Sequence, residues 1–279
     1  IDTGMSRAGS TLADLPALAS ALRMAADDGL VDVVGAWSHM SRADDPSEAG
    51  NASTASHVRI FEEGLAILAD AGVTPRIRHL SATSGILWHR EAHYDMVRAG
   101  IGLYGLSPDP AVATSEQLGL TPALELRAPL TSVKVIEEGT PASYGGTWVA
   151  PTRRWIGLVP LGYGDGILRA ASNRARVTVH TASGPFNAPL IGRVCMDQFM
   201  VDLGPAEGSP GTPTARSGQA PAIPGDIATL FGSGIGGEAL ADDWAQAAGT
   251  INYEIVTHLG AHIPRIYRDG VAATFGSNS

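Results

Sequence analysis

Lysine is almost missing from this chain: among 279 residues only Lys134 carries an ε-ammonium, and arginine supplies the rest of the basic charge. The formal net charge is -9, and the longest basic run is Arg153-Arg154. Phosphate backbones are bound by clustered Lys and Arg, so a nucleic-acid partner is excluded. Cysteine is limited to Cys195, which leaves no internal disulfide and makes a reducing, cytoplasmic setting the default expectation. No apolar run approaches the ~20 residues that would span a membrane, and no cleavable-signal pattern opens the sequence. The sequence begins at Ile1, inside motif-like residues and without an initiator methionine, and this predicts that it is a truncated form of a longer protein.

What is abundant is glycine, 34 residues of it, set between apolar runs of two kinds. In the first half, strands alternate with helices. Residues 11–29 place Leu12, Leu15, Leu18 and Leu22 at helical spacing, with Thr11 and Asp14 positioned for a capping box and Gly29 for the stop. A strand over 31–37 (VDVVGAW) precedes a helix over 57–72, with Phe61, Leu65 and Leu68 on one face. Then come a strand at 75–80, a short helix at 84–90 and a strand at 96–105. Such alternation implies right-handed βαβ units and a parallel sheet, open or closed, whose chemistry sits at the carboxyl ends of the strands. Those ends carry Trp37-Ser38-His39, His79-Leu80 and Arg98 through Gly102.

From about residue 120 the runs are short, rich in Val, Ile and Leu, and punctuated by Gly and Pro, as in ELRAPLTSVKVIE, WIGLVPLGY, RVTVH, PLIGRVCMDQFMVDL and DIATLF. They predict a mainly β domain. Residues 204–225, rich in Gly, Pro, Ala and Ser, predict a mobile surface loop. Lys134 falls on one of the predicted strands and reads as an exposed strand lysine. Tyr144 lies ten residues on, in the Gly-rich turn ASYGGTW.

Three constellations suggest ligands. Gly232, Gly234 and Gly237 form a G-x-G-x-x-G between a strand and a helix, with Glu254 about 20 residues downstream, as in a nicotinamide-dinucleotide site. No βαβ unit surrounds this run, and a tight turn into a helix accounts for the glycines equally well. The pairs His89/His93 and His258/His262 have the i,i+4 spacing of zinc ligands, yet lack the glutamate of H-E-x-x-H and an obvious third ligand, so structural roles are favoured and no metal is expected. The third constellation is Thr83-Ser84-Gly85 opening a helix, with Arg98-Ala-Gly100-Ile101-Gly102 on the neighbouring strand. Small hydroxyls and free backbone N–H groups at a helix start, beside glycines that admit close approach, suit a phosphate group.

Seven segments, IDTGMSRAG (1–9), HLSATSGIL (79–87), DMVRAGIGLYGLSP (95–108), ASYGGTW (142–148), LGYGDGILR (161–169), IGRVCMDQFMVDL (191–203) and TINYEIVTHLGAHIPRIY (250–267), resemble the alanine racemase family, in that family's order and approximate spacing. The resemblance implies a pyridoxal-phosphate enzyme that interconverts L- and D-alanine for peptidoglycan and acts as a homodimer. The implied fold is α/β plus β, with the carboxy-terminal portion of a (β/α)8 barrel over 1–119 followed by a β domain over 120–279. Matched position by position, Tyr144 is the base that deprotonates L-alanine, and His39 and Arg98 belong to the network around it. Arg98 also faces the pyridine nitrogen of the cofactor. Arg7 lies near the cofactor's phenolic oxygen and the substrate carboxylate. Thr83 and Ser84, with Gly100, Ile101 and the hydroxyl of Tyr253, match the phosphate cup. Met196, Asp197 and Tyr163 match the substrate entrance contributed by the β domain of the partner subunit.

Departures from the family pattern matter as well. The family's Schiff-base lysine lies in an amino-terminal motif resembling K-A-x-A-Y-G-H-G, along with a second phosphate-binding tyrosine. Neither is present, and the family's modified lysine would fall just before Ile1. THLGAHIPR is unusual where the family carries a more polar, arginine-bearing stretch, and the loop 204–225 is longer than typical. The expectation is therefore an alanine racemase sequence whose 279 residues alone turn over negligibly. The alternatives are a racemase of serine or a basic amino acid, a non-catalytic pyridoxal-phosphate-binding protein, and the dehydrogenase suggested by 232–237.

Overall fold

The computed structural model describes residues 1–206 and 220–267, which fall into two compact units, Ile1–Ala123 and Leu124–Ser279. Most of the loop expected to be mobile, 204–225, lies outside the described residues.

The first unit runs α1 (Leu15–Asp27), β1 (Gly35–Trp37), α2 (Glu48–Asp70), β2 (Ile77–His79) and α3 (Thr83–Trp88), with 3-10 turns at Arg90–Ala92 and Ile101–Tyr104. β1 and β2 pair in parallel, Gly35 opposite Ile77 and Trp37 opposite His79, so both carboxyl ends finish side by side. α1 starts later than the leucine spacing suggests. Pro16 sits in its first turn, and Asp14, itself in helical geometry, makes no side-chain cap. Instead Thr11 Oγ1 donates to Asp14 Oδ2 at 2.7 Å, one step outside the helix.

α2 begins nine residues before the expected start. Ser47 caps it by accepting from the Gly50 N–H at 3.1 Å. Its buried stripe is Gly50, Thr54, His57, Phe61, Gly64 and Leu68, an unbroken alternation of four and three residues along one helix face. The first half of that stripe is small or polar, so hydrophobic periodicity registers only the second half. Gly50 is required by contact, since a Cβ there would lie 2.2 Å from the Asp45 carbonyl oxygen. Phe61 is fully buried against Leu15, Leu68 and Leu80 and meets the Tyr94 ring edge-on at 5.1 Å.

The strand expected over 96–105 does not form. Residues 95–98 do run beside β2, with Asp95 N–H donating to Arg78 O and Arg98 N–H to Ser81 O at 3.0 and 2.9 Å. At Gly100 the backbone leaves extended geometry (φ -113°, ψ -101°) and coils into the 3-10 turn. Glycine at 100 and 102 permits that turn and removes the side chains a strand would pack.

The second unit contains β3 (Leu126–Pro129), β4 (Ser132–Ile136), β5 (Pro141–Ala142), β6 (Trp148–Val149), β7 (Arg154–Val159), β8 (Arg176–Thr181), β9 (Gly184–Ile191), β10 (Phe199–Pro205), β11 (Ile227–Phe231), α4 (Ala241–Ala248) and α5 (Asn252–Thr257). Seven strands form one sheet in the order β3-β11-β8-β9-β10-β7-β4, each neighbouring pair antiparallel. Its two outer strands are consecutive in the chain. Between them, Leu130 N–H donates to Asp226 O at 2.8 Å and Thr131 N–H to Leu158 O at 2.9 Å. The run 126–136 thus passes from β11 to β7 and curls the sheet back onto itself. Lys134 is exposed on β4, a strand paired on one side only, where a charge discourages edge-to-edge association. Alternate residues Val177, Val179, Leu190, Phe199, Val201 and Leu230 fill the interior. Trp244 of α4 covers it, its indole N–H donating to Leu230 O at 2.5 Å. No helix among the described residues is long and apolar enough to cross a membrane.

Truncating Phe61 removes the one large ring in the α2 stripe. Phe61→Ala is expected to cost about 3–5 kcal/mol, read as a lowered urea midpoint of the first unit. A loss below about 1 kcal/mol would show that α2 is not held by this stripe.

Candidate functional site

Arg98 organises the first unit's candidate site. It follows the run beside β2, and its guanidinium lies across the carboxyl ends of β1 and β2. One terminal nitrogen meets His79 Nδ1 at 2.7 Å and His79 O at 3.2 Å. The other donates to Ser38 O at 2.7 Å and Leu80 O at 3.2 Å, and meets His39 Nδ1 at 3.2 Å. Trp37 lies under the guanidinium at 5.2 Å and stacks with the His79 ring, so cation and planes form one pile. A guanidinium only donates, so both imidazoles accept at Nδ1 and carry their protons on Nε2. Among the described residues, no protein acceptor meets the Nε–H of Arg98.

Burial lowers the pKa of His39, and Arg98 and Arg7 lower it further; His79 is lowered by burial and then by Arg98. Both are therefore held neutral. The geometry brings His39 and Arg98 together, with His79 and Trp37 as further partners. The paired strand-end runs 37–39 and 79–80 were the signal that could have found these two.

Arg7 stands at the tip of a self-closed loop. Asp2 accepts from the Gly4 and Ser6 N–H groups at 3.0 Å each, and Asp2 N–H donates to Ser10 O at 2.8 Å. Arg7 and His39 line the same small cavity, about 100 Å³, with Trp37 and Ser38.

Thr83, buried at the start of α3, accepts at Oγ1 from the N–H groups of Gly100 (3.1 Å) and Gly102 (3.3 Å). A Cβ at Gly102 would lie 2.9 Å from the Thr83 methyl. Thr83, Ser84, Gly100 and Ile101 are thus brought into one turn-against-turn cradle, two residues beyond Arg98. The first turn of α3 adds backbone N–H groups that no helical carbonyl uses.

In the second unit, Tyr144 sits at the tip of the β5–β6 hairpin, 70 % exposed, between Ser143 (φ 60°) and Gly145 (φ 73°). Ser143 Oγ donates to Arg193 O at 2.6 Å and fixes the hairpin to the β9–β10 connection. Tyr144 borders a cavity of about 480 Å³ with Cys195, Gln198 and Met200. Tyr163 and Met196 are joined by backbone: Tyr163 N–H donates to Cys195 O at 2.9 Å and Gly164 N–H to Met196 O at 2.8 Å. Asp197 shares that turn, and Gly162 packs so close that a Cβ would lie 2.2 Å from Met196 O. Tyr253 is on α5, which Asn252 ties to Asp242 of α4 at 2.6 Å.

The competing constellations resolve. The glycine run 232–237 follows an antiparallel strand and already holds an anion: Glu238 accepts from Ser233 Oγ at 3.0 Å and from Gly234 N–H at 2.9 Å. Its own carboxylate fills the place a pyrophosphate would need. His89 and His93 bond the carbonyls of Ala43 and Ile86, and His262 bonds Asp165 at 2.7 Å. No metal-ligand cluster occurs among the described residues.

Family models for the alanine racemase N-terminal domain and C-terminal domain match residues 1–108 and 123–267. The chain belongs to the alanine racemase family. Alanine racemase from Salinispora arenicola is 43 % identical over 268 residues, covering 96 % of this chain and 65 % of that protein. The structure of alanine racemase from Streptomyces coelicolor A3(2) superposes with a TM-score of 0.87 at 40 % identity, over 97 % of this chain and 65 % of that one. Alanine racemase from Bacillus anthracis with bound L-Ala-P gives 0.79 at 29 % identity, over 96 % and 63 %. The chain therefore spans about 65 % of the length of the curated racemases it matches.

The depressed histidines make the first unit acid-sensitive. His39, His57 and His79 all have folded pKa values below the ordinary ~6.5, so on acidification the unfolded chain takes up these protons first. Their contribution is complete above about pH 6.5 and is lost as pH falls below it. Asp45, held down to about 2 by the Ser47 hydroxyl and N–H and by Arg42, and Asp95, held down to about 2 by the Arg78 guanidinium and N–H, do not titrate in that window. The urea midpoint should drop between about pH 7 and pH 5, and less steeply in His79→Gln; a flat profile would contradict the neutral-histidine assignment.

Proposed function

We propose that the protein is a pyridoxal-phosphate-dependent alanine racemase, acting as a cytoplasmic homodimer that interconverts L- and D-alanine and supplies D-alanine for peptidoglycan. The observation that carries this reading is the Arg98 guanidinium. It is a permanent cation fixed by neutral acceptors, with one N–H left over, beside a glycine-lined cradle at the ends of two parallel strands.

The residues fit the cofactor. The hydroxyls of Thr83 and Ser84 and the amides of Gly100 and Ile101 would hold its phosphate. Arg98 would donate its Nε–H to the pyridine nitrogen. Because a guanidinium keeps its proton, Arg98 leaves that nitrogen uncharged. When bound, the cofactor draws electrons from the amino acid's Cα and makes the proton there acidic.

The chain's own groups do the rest. Arg7 pairs with the substrate carboxylate. Tyr144 takes the Cα proton of L-alanine at its phenolic oxygen and returns it in the reverse direction. His39, its Nδ1 occupied by Arg98, carries its proton on Nε2. Tyr163, Met196 and Asp197 shape the substrate entrance from the partner subunit. The second proton carrier in the family is the cofactor-holding lysine, and the one lysine here, Lys134, stands exposed on β4.

The test is D-alanine formation from L-alanine and pyridoxal phosphate by the protein expressed from its full coding sequence, beside serine and arginine as competing substrates. Tyr144→Phe is expected to lower L-to-D turnover by about 10²–10⁴-fold with cofactor absorbance retained. Unchanged turnover would remove Tyr144 from the base role. Absence of pyridoxal-phosphate binding, or faster racemisation of serine or arginine than of alanine, would overturn the assignment.

A further inference from the structure

His57 is buried in the α2 stripe and bonded at both ring nitrogens. Nδ1 meets Thr3 Oγ1 at 2.7 Å, and Thr3 Oγ1 meets Ser38 Oγ at 2.8 Å. Nε2 accepts from the Ser41 backbone N–H at 3.3 Å and lies 2.9 Å from Ser41 Oγ. A backbone N–H can only donate, so Nε2 is the unprotonated nitrogen and Nδ1 carries the hydrogen. That hydrogen goes to Thr3 Oγ1, which is hydrogen-bonded in turn to Ser38 Oγ. The two bonds of the imidazole have one direction, set by a peptide group that cannot reverse.

The partners matter because of what they carry. Ser38 gives its carbonyl to Arg98 at 2.7 Å, and its N–H to His79 O at 3.2 Å. Ser38 and Ser41 bracket His39. Thr3 belongs to the loop that holds Arg7. One imidazole therefore grips both ends of the His39 segment, directly at Ser41 and through Thr3 at Ser38. Gly4 (φ +123°) lies over the ring, its place for a Cβ 3.5 Å from His57 Cε1, so the loop closes onto the imidazole.

We propose that His57 is a positioning residue for the Arg98–His39 system: as a neutral Nδ1–H imidazole it fixes Ser38 and Ser41, and thereby the register at which His39 Nδ1 and the Ser38 carbonyl both meet the guanidinium. It touches neither substrate nor cofactor. The proposal rests on the racemase reading only for what the positioned groups are used for. Loss of the His57 grip frees the His39 segment, and the Nδ1 contact with Arg98 that sets the His39 tautomer goes with it.

The experiment is long-range nitrogen–proton NMR of the histidine rings in the chain, without cofactor. In the wild type, His57 is expected as the Nδ1–H tautomer and His39 as Nε2–H. A His57 ring protonated at Nε2 would overturn the proposal before any variant is made. In His57→Leu, His39 is expected to lose its single Nε2–H signature and become a tautomer mixture. In His57→Gln, whose amide can still donate to Thr3 and accept from Ser41, the signature should be retained. An unchanged His39 signature in a folded His57→Leu chain, or equal loss in both variants, would refute the positioning role. Pyridoxal-phosphate absorbance, recorded separately on the wild type, tests the racemase reading alone. Its failure leaves the His39 spectra to decide the role of His57.

Discussion

A guanidinium that cannot lose its proton, partly withdrawn from water, must be surrounded by acceptors. Arg98 is given three backbone carbonyls and two imidazole nitrogens and, among the described residues, no carboxylate. The absence of a counter-charge leaves the positive charge available to a ligand instead of cancelling it within the protein. It also dictates the state of its neighbours: both histidines are neutral, both point Nδ1 inward, and both offer Nε2–H outward. The parallel pairing of β1 with β2 supplies the carbonyls, because strands that end together present their last C=O groups together.

The second unit solves a different problem. A sheet that curls back through one continuous run, 126–136, gives a stiff frame from which short connections can project. The β5–β6 hairpin lifts Tyr144, and the loop after β7 clasps the β9–β10 connection by backbone bonds, so Tyr163, Met196 and Asp197 share a fixed arrangement. Asp165 anchors that clasp, accepting from Gly162 N–H at 2.8 Å while its second oxygen meets His262.

Much of this was legible in the sequence, and the exceptions are instructive. Alternating elements gave the parallel pair and its functional ends, and Val/Ile-rich runs gave the strands of the second unit. The amino-terminal part of α2 escaped because Gly50, Thr54 and His57 are its buried face, and burial there follows size and hydrogen bonding instead of apolar character. The strand expected at 96–105 failed at Gly100, where backbone freedom outweighed the apolar pattern. Arg98, His39 and Thr83 were named as site candidates from the sequence. His79 and Trp37 were placed at the strand ends but given no part, and Thr3 and His57 were not singled out, since nothing in spacing shows which polar residues a guanidinium will draw in. The glycine run 232–237 misleads for a related reason: backbone N–H groups concentrated in a loop attract any anion, and Glu238 follows immediately.

The closure of the sheet through 126–136 bears on how the second unit forms. β3 pairs with β11 and β4 with β7, so neighbouring residues of one short run must find partners far apart in the chain. The β4–β7 ladder extends the β5–β6 hairpin and can form by local zipping, whereas the β3–β11 ladder joins distant parts of the chain and closes the sheet. Folding of this unit is governed by distant contacts and is correspondingly slow. The base of the hairpin bearing Tyr144 is the local β4–β7 ladder, so its footing does not depend on the distant closure.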